Sequence, residues 1–192
     1  MKKLIALCLV LVMVLTMAAC GKKNEEASGE QGSTHKEVPG SALEILENVW
    51  ALYGDDEKFP VMGGDANNMV DGAPGSFDHT DTEMLTYQLL VPADQAANVD
   101  QAASLFHGMM LNNFTCGVFH VTEKAYDFAD AMVDAVKNNQ WMCGMPETMV
   151  VTVIGGEYVL MAFGIDDAMT PFAAKLAEAY PNAETVANES IA

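Results

Sequence analysis

Arginine is missing from all 192 residues, and nine lysines face 27 carboxylate side chains, giving a formal net charge of −18. A chain so poor in cations repels phosphate backbones and anionic lipid headgroups alike, which excludes nucleic-acid binding. No Cys-x-x-Cys pair occurs, so a thioredoxin-type redox motif is excluded as well. A phosphate loop, a nucleophile elbow for a Ser-His-Asp triad and His-x-x-His zinc spacing are equally absent. What remains is 51% hydrophobic content, enough apolar material for the core of one domain.

One apolar run stands out at the start. Lys2 and Lys3 precede an uncharged stretch from Leu4 to Ala19, the layout of a secretory signal. At about 16 residues and ~1.5 Å rise each it reaches ~24 Å as a helix, short for a hydrocarbon layer of ~30 Å. It ends in Met17-Ala18-Ala19-Cys20-Gly21, two small residues before a cysteine, as cleavage and lipid transfer to that thiol require; the pattern resembles a bacterial lipobox with methionine where leucine is usual, the alternative being a retained membrane helix. Residues 1–19 are therefore expected to be a lipoprotein signal peptide, and Cys20 the lipidated amino terminus, anchored through palmitate-type acyl chains on the outer face of the cell membrane. Cleavage there leaves seven lysines against 27 carboxylates, a mature charge of −20. Each buried methylene contributes about 0.8 kcal/mol, so acyl chains hold the protein without a basic patch. Gly, Ser, Glu, Lys and Asn dominate the segment up to Gly40, which reads with Cys20 as a flexible tether over residues 20–40.

Residues 41–192 read as a single α+β globular domain, an antiparallel sheet with helices packed on it, in a β-α-β-β-α core preceded by helices. Ser41-Ala42-Leu43-Glu44 has capping-box spacing, and Leu43, Leu46, Val49, Trp50 and Tyr53 recur at helical period, which predicts a helix over 41–53. A Gly-, Asn-, Asp- and Pro-rich stretch to about Thr80 reads as a long surface loop. A short helix is predicted over 81–90 and another over 99–110, with Ala102, Leu105, Phe106, Met109 and Met110 as its buried stripe. Phe114 to Val121 is β-prone, and the period then switches to helical over 123–139. Met149–Ile154 and Tyr158–Ile165, joined by Gly155-Gly156-Glu157, pair as a hairpin. Both runs are apolar without alternation, which implies cover on each face or a central place in the sheet. Thr170-Pro171 is read as the start of a last helix that Pro181 stops, with Asp166 and Asp167 just before its positive end.

Few residue sets carry chemistry. With Cys8 removed in the signal and Cys20 lipidated, Cys116 and Cys143 are the two thiols left, and an even pair outside the cytosol points to a disulfide. Such a bridge, closing about 28 residues, would stabilise the fold by ~3.5 kcal/mol; two separate buried thiols or a reactive cysteine are the alternatives. Cys116 and His120 are no nucleophilic dyad, because four residues of strand place them about 13 Å apart. His107 on an apolar segment reads as a packing histidine. Asp65, Asn67 and Asp71 supply hard oxygens of the kind calcium selects, but Val70 sits where the EF-hand needs glycine and no glutamate closes the loop, which favours an ordinary acidic loop. The eleven methionines outside the signal are assigned to core packing rather than to soft-metal capture.

The stretches SALEILENVWALYGDDEKFPVMGGD, NNFTCGVFHV and NNQWMCGMPETMVV resemble a family of small Gram-positive lipoproteins often labelled bacteriocin transport accessory protein, related to an uncharacterised lipoprotein domain family. The resemblance implies a role linked to peptide export, and no cofactor is expected. Together with the anchor and tether, the expected function is a membrane-anchored extracytoplasmic binding or accessory protein without catalysis, whose partners are the lipid membrane through acylated Cys20 and an envelope or exported protein. An acidic ligand- or cation-binding module, or a thiol-redox helper, is the alternative.

Overall fold

A computed structural model describes residues 39–191; the expected signal peptide, lipidated Cys20 and most of the tether lie outside the described residues. The chain is α+β, with an eight-stranded, wholly antiparallel sheet at its centre. Helix α1 spans Ala42–Ala51, α2 Thr82–Leu89, α3 Ala125–Asn138 and α4 Asp166–Ala179. The strands are β1 Val61–Gly63, β2 Val70–Asp71, β3 Gly75–Phe77, β4 Val99–His107, β5 Phe114–Val121, β6 Thr148–Ile154, β7 Tyr158–Gly164 and β8 Glu184–Ser190. Their spatial order is β2-β1-β4-β5-β7-β6-β8, with β3 also on β4. The outer side of β4 is thus shared end to end: β3 pairs with Ala102–Ser104 and β1 with Leu105–His107.

Successive side chains of a strand point to opposite faces, and here both faces are covered. On one, Leu105, Cys116, Val118, Leu160 and Ala162 pack under α1 and α4 through Ile45, Leu46, Val49, Phe172 and Leu176. On the other, Phe106, Phe119, Val151, Met161 and Phe163 pack under α2 and α3 through Leu85, Leu89, Phe128, Met132 and Val136. The uninterrupted apolar runs of β6 and β7 have this cause, since every residue from Met149 to Ile154 and from Tyr158 to Gly164 is buried.

Local signals set several boundaries. The Ser41 hydroxyl accepts the Glu44 N–H at 3.1 Å, and the Glu44 carboxylate reaches back past the cap to the Gly40 N–H at 2.8 Å. In the three-residue turn from β6 to β7, Gly155 and Gly156 take φ of 63° and 79°, which glycine adopts without steric cost. The helix predicted over 81–90, the strand over 114–121, the helix over 123–139 and the hairpin are all present.

Elsewhere the structure corrects the sequence reading. The segment predicted as a helix over 99–110 is strand β4, followed by an exposed turn. Its Ala and Leu favour a helix locally, but alternate residues are claimed by two cores, Ala103 and Leu105 by one and Ala102 and Phe106 by the other. Met109 and Met110 are exposed, not buried. The stretch before Thr80 holds β1, β2 and β3 rather than a plain loop. Helix α4 begins at Asp166, so Asp166 and Asp167 form its first turn, and Pro171 lies inside it. The polar β8 completes the sheet beyond Pro181.

Candidate functional site

Apolar side chains gather at the surface where three segments meet: α2, the turn between β4 and β5, and the loop between α3 and β6. A groove of about 950 Å³ runs between them, lined by Met84, Tyr87, Gln88, Leu90, Leu111, Asn112, Trp141 and Met142. A smaller pocket of about 220 Å³ adjoins it, shares Gln88 and Leu111, and adds Met62, Asp65, Met69, Phe106, His107 and Met109. Tyr87 is 78% exposed, Met109 84% and Met142 80%. Met69, Met110 and Met145 are exposed too. Single exposed apolar side chains are ordinary, but a continuous run of them marks an interaction surface. The eleven methionines therefore divide: Met132, Met149, Met161 and Met169 are core residues as expected, Met62, Met69, Met84, Met109 and Met142 line the groove or the pocket beside it, and Met110 and Met145 are exposed.

The groove is held by identifiable bonds. His107 Nδ1 accepts the backbone N–H groups of Met109 at 3.2 Å and Met110 at 3.3 Å, which curls the β4–β5 turn and presents both thioethers outward. With Nδ1 accepting, the ring proton sits on Nε2, and the imidazole stacks on Phe59 with centroids 5.9 Å apart. Asn112 Nδ2 donates to the Met142 and Gly144 carbonyls at 2.7 and 2.6 Å, so the two loops are tied across the groove. Cys143 and Gly144 take φ of 64° and 112°, and this left-handed pair turns Met142 and Met145 outward. The Trp141 ring meets Phe163 edge-on at 4.8 Å and so joins the loop to the second core.

Two polar atoms in these walls have no partner. Gln88 Oε1 and Trp141 Nε1 are both withdrawn from water and unpaired. Each such atom costs about 1–3 kcal/mol. One is an acceptor and the other a donor.

The residues singled out from sequence fall elsewhere or serve the fold. The bridge expected between Cys116 and Cys143 is not formed; both are free thiols. Cys116 belongs to the core under α1 and α4, whereas Cys143 follows Trp141 in the loop packed on the opposite face, so the sheet lies between them. Burial pushes the Cys116 thiol well above its ordinary range, which makes it a packing group and not a nucleophile. His120 is bracketed by Asp100 at Nδ1 and Glu157 at Nε2.

The acidic loop is likewise structural. Asp65 is 6% exposed. Its Oδ1 accepts the N–H groups of Asn67 at 2.8 Å and Asn68 at 3.0 Å, and its Oδ2 accepts that of Asp78 at 2.9 Å. Burial alone would raise its pKa, and the hydrogen bonds from Asn67, Asp78 and Asn68 outweigh burial and hold it below the usual carboxylate range. Asn67 and Asp71 are exposed, and no group of three or more His, Cys, Asp or Glu is placed to hold a metal among the described residues. The groove escaped the sequence reading because Met109 and Met110 were assigned to a helix; the legible signal was Met142-Cys143-Gly144-Met145, apolar residues in a glycine-bearing loop. No family model, no curated protein and no solved structure matches this chain.

Proposed function

We propose that the protein is a lipid-anchored binding protein of the extracytoplasmic face, without catalysis of its own, that docks another envelope or exported component in the methionine-rimmed groove. The observation that carries the reading is the clustering of exposed Met69, Tyr87, Met109, Leu111 and Met142 around the groove and the pocket that adjoins it. Methionine has three rotatable bonds and a polarisable sulfur, so a surface built from it adapts to varied apolar partners. The lipobox at Cys20 supports the location, and no described helix is long and apolar enough to cross a membrane. A link to peptide export follows the family resemblance. The cation-module reading loses support because both Asp65 oxygens are occupied by backbone donors, and the thiol-redox reading because the two cysteines are on opposite faces.

The test is photo-crosslinking in intact cells from position 109 in the groove and from position 126 on α3. Discrete adducts from 109 that are absent from 126, and lost when Cys20→Ala releases the protein from the membrane fraction, are the expected result. Identical adduct patterns from both positions would remove the groove from the proposal, and unchanged membrane attachment of Cys20→Ala would remove the anchor.

A further inference from the structure

Resting on that reading of the groove, we infer that its occupant is a basic polypeptide segment carrying apolar side chains. Two independent observations narrow the chemistry. The first is electrostatic. Residues 39–191 contain four lysines and 23 carboxylate side chains. Each of those lysines is already committed to a carboxylate: Lys58 to Asp55, Lys124 to Asp127, Lys137 to Glu189 and Lys175 to Glu57. None lines the groove, whereas Glu83 does. An anionic ligand would meet uncompensated repulsion at this surface, and a cationic one is drawn to it over roughly a Debye length of ~10 Å.

The second is the orphan pair. Gln88 Oε1 offers an acceptor and Trp141 Nε1 a donor, both unpaired beside the same groove. An acceptor with a donor is the complement of a peptide unit, which carries one N–H and one C=O. A lipid tail would leave both atoms unpaired. Met84 and Met142 line the same walls as these two residues, and methionine side chains rearrange at low cost, so the walls yield to an entering segment. Apolar anchors of the segment then fill the space between Tyr87, Leu111 and Met142.

The experiment uses the full lipidated protein in phosphatidylcholine nanodiscs, with empty nanodiscs as the blank. Three labelled probes of about ten residues alternate leucine with lysine, glutamine or glutamate, so that an extended chain keeps backbone N–H and C=O groups free. Binding is read by anisotropy, and occupancy of the groove by the emission of Trp141 in a Trp50→Phe background. The lysine probe is expected to bind saturably, about tenfold or more tighter than the glutamine probe, with the gap closing from about 50 to about 500 mM salt. Combined Met109→Ser and Met142→Ser should abolish binding, and Trp141→Phe, read by anisotropy alone, should weaken it about fivefold by removing the donor. Equal binding of the lysine and glutamine probes would overturn the basic character while leaving the groove reading intact. Lysine-probe binding that survives the methionine double variant would place it on the acidic surface and overturn the inference. A Trp141 shift on moving to phosphatidylglycerol nanodiscs without peptide would make the groove a lipid-facing surface and overturn both readings, as would the failure of every probe.

Discussion

At the scale of single residues, the side chains with the most conspicuous chemistry turn out to serve the backbone. By residue type alone Asp65 is a candidate calcium ligand, since oxygen-rich loops and metal loops share a composition, although the spacing favours an ordinary acidic loop. What the sequence conceals is that the donors it satisfies are N–H groups of its own loop and of Asp78, thirteen positions on. The consequence is testable through pH. A carboxylate whose folded pKa lies below its unfolded value of about 3.9 stabilises the protein above that value, and the contribution is lost as pH falls through the folded pKa. Asp65→Asn keeps one acceptor oxygen and loses the charge and the other, so a stability loss of about 1–2 kcal/mol is expected at pH 7. The gap between variant and wild type should narrow towards pH 3. Urea denaturation at the two pH values checks this, and a gap independent of pH would show that the charge is immaterial.

At the scale of elements, the legible pieces were those whose period matched their final burial. Helix α3 shows a clean stripe of Phe128, Ala129, Met132 and Val136, and β6 and β7 are long, apolar and split by glycines. The illegible ones depend on distant partners. β4 is small-residue-rich because it is sandwiched, and β8 is polar because it is an edge strand with one buried residue, Ala187. The short strands β1 and β3 form only because glycines let backbones approach: a Cβ on Gly75 would lie 2.5 Å from Gly64 N and 2.7 Å from Gly63 C. Ser104 locks the same region by donating to the Gly64 carbonyl at 2.8 Å. Gly75→Ala is therefore expected to cost about 2–3 kcal/mol through overpacking against main chain that has no room to yield. Gly156→Ala, with open space around its Cβ and φ of +79°, should cost only about 1 kcal/mol of backbone strain. Thermal melts of the two variants decide between them, and equal losses would show that the crowding at Gly75 is relieved by movement of β1 or β3. The groove belongs to this scale too: its walls come from α2 and from turns preceding β5 and β6, which no local pattern links.

At the scale of the whole molecule, one sheet divides two hydrophobic cores without separating them into independent units. Neighbouring residues of a strand enter different cores, as Val150 and Val151 do, so neither core survives the loss of the sheet. Each face also carries its own reporter. Trp50 lies in the core under α1 and α4, donating to the Gly72 carbonyl at 3.2 Å, and Trp141 packs on Phe163 in the other. Leu46→Ala opens a cavity on the first face and Phe128→Ala on the second, each at about 3–4 kcal/mol. Because the strands are shared, both reporters should lose native signal along one transition in either variant, read in single-tryptophan versions made with Trp50→Phe or Trp141→Phe. Transitions that separate, with Trp141 melting before Trp50 in Phe128→Ala, would mean that α2, α3 and the groove they support come away from a sheet that stays folded. In that event the groove would be a semi-independent element whose order a docked partner could supply, and its ligand affinity would fall with Phe128→Ala even under conditions where the first core remains intact.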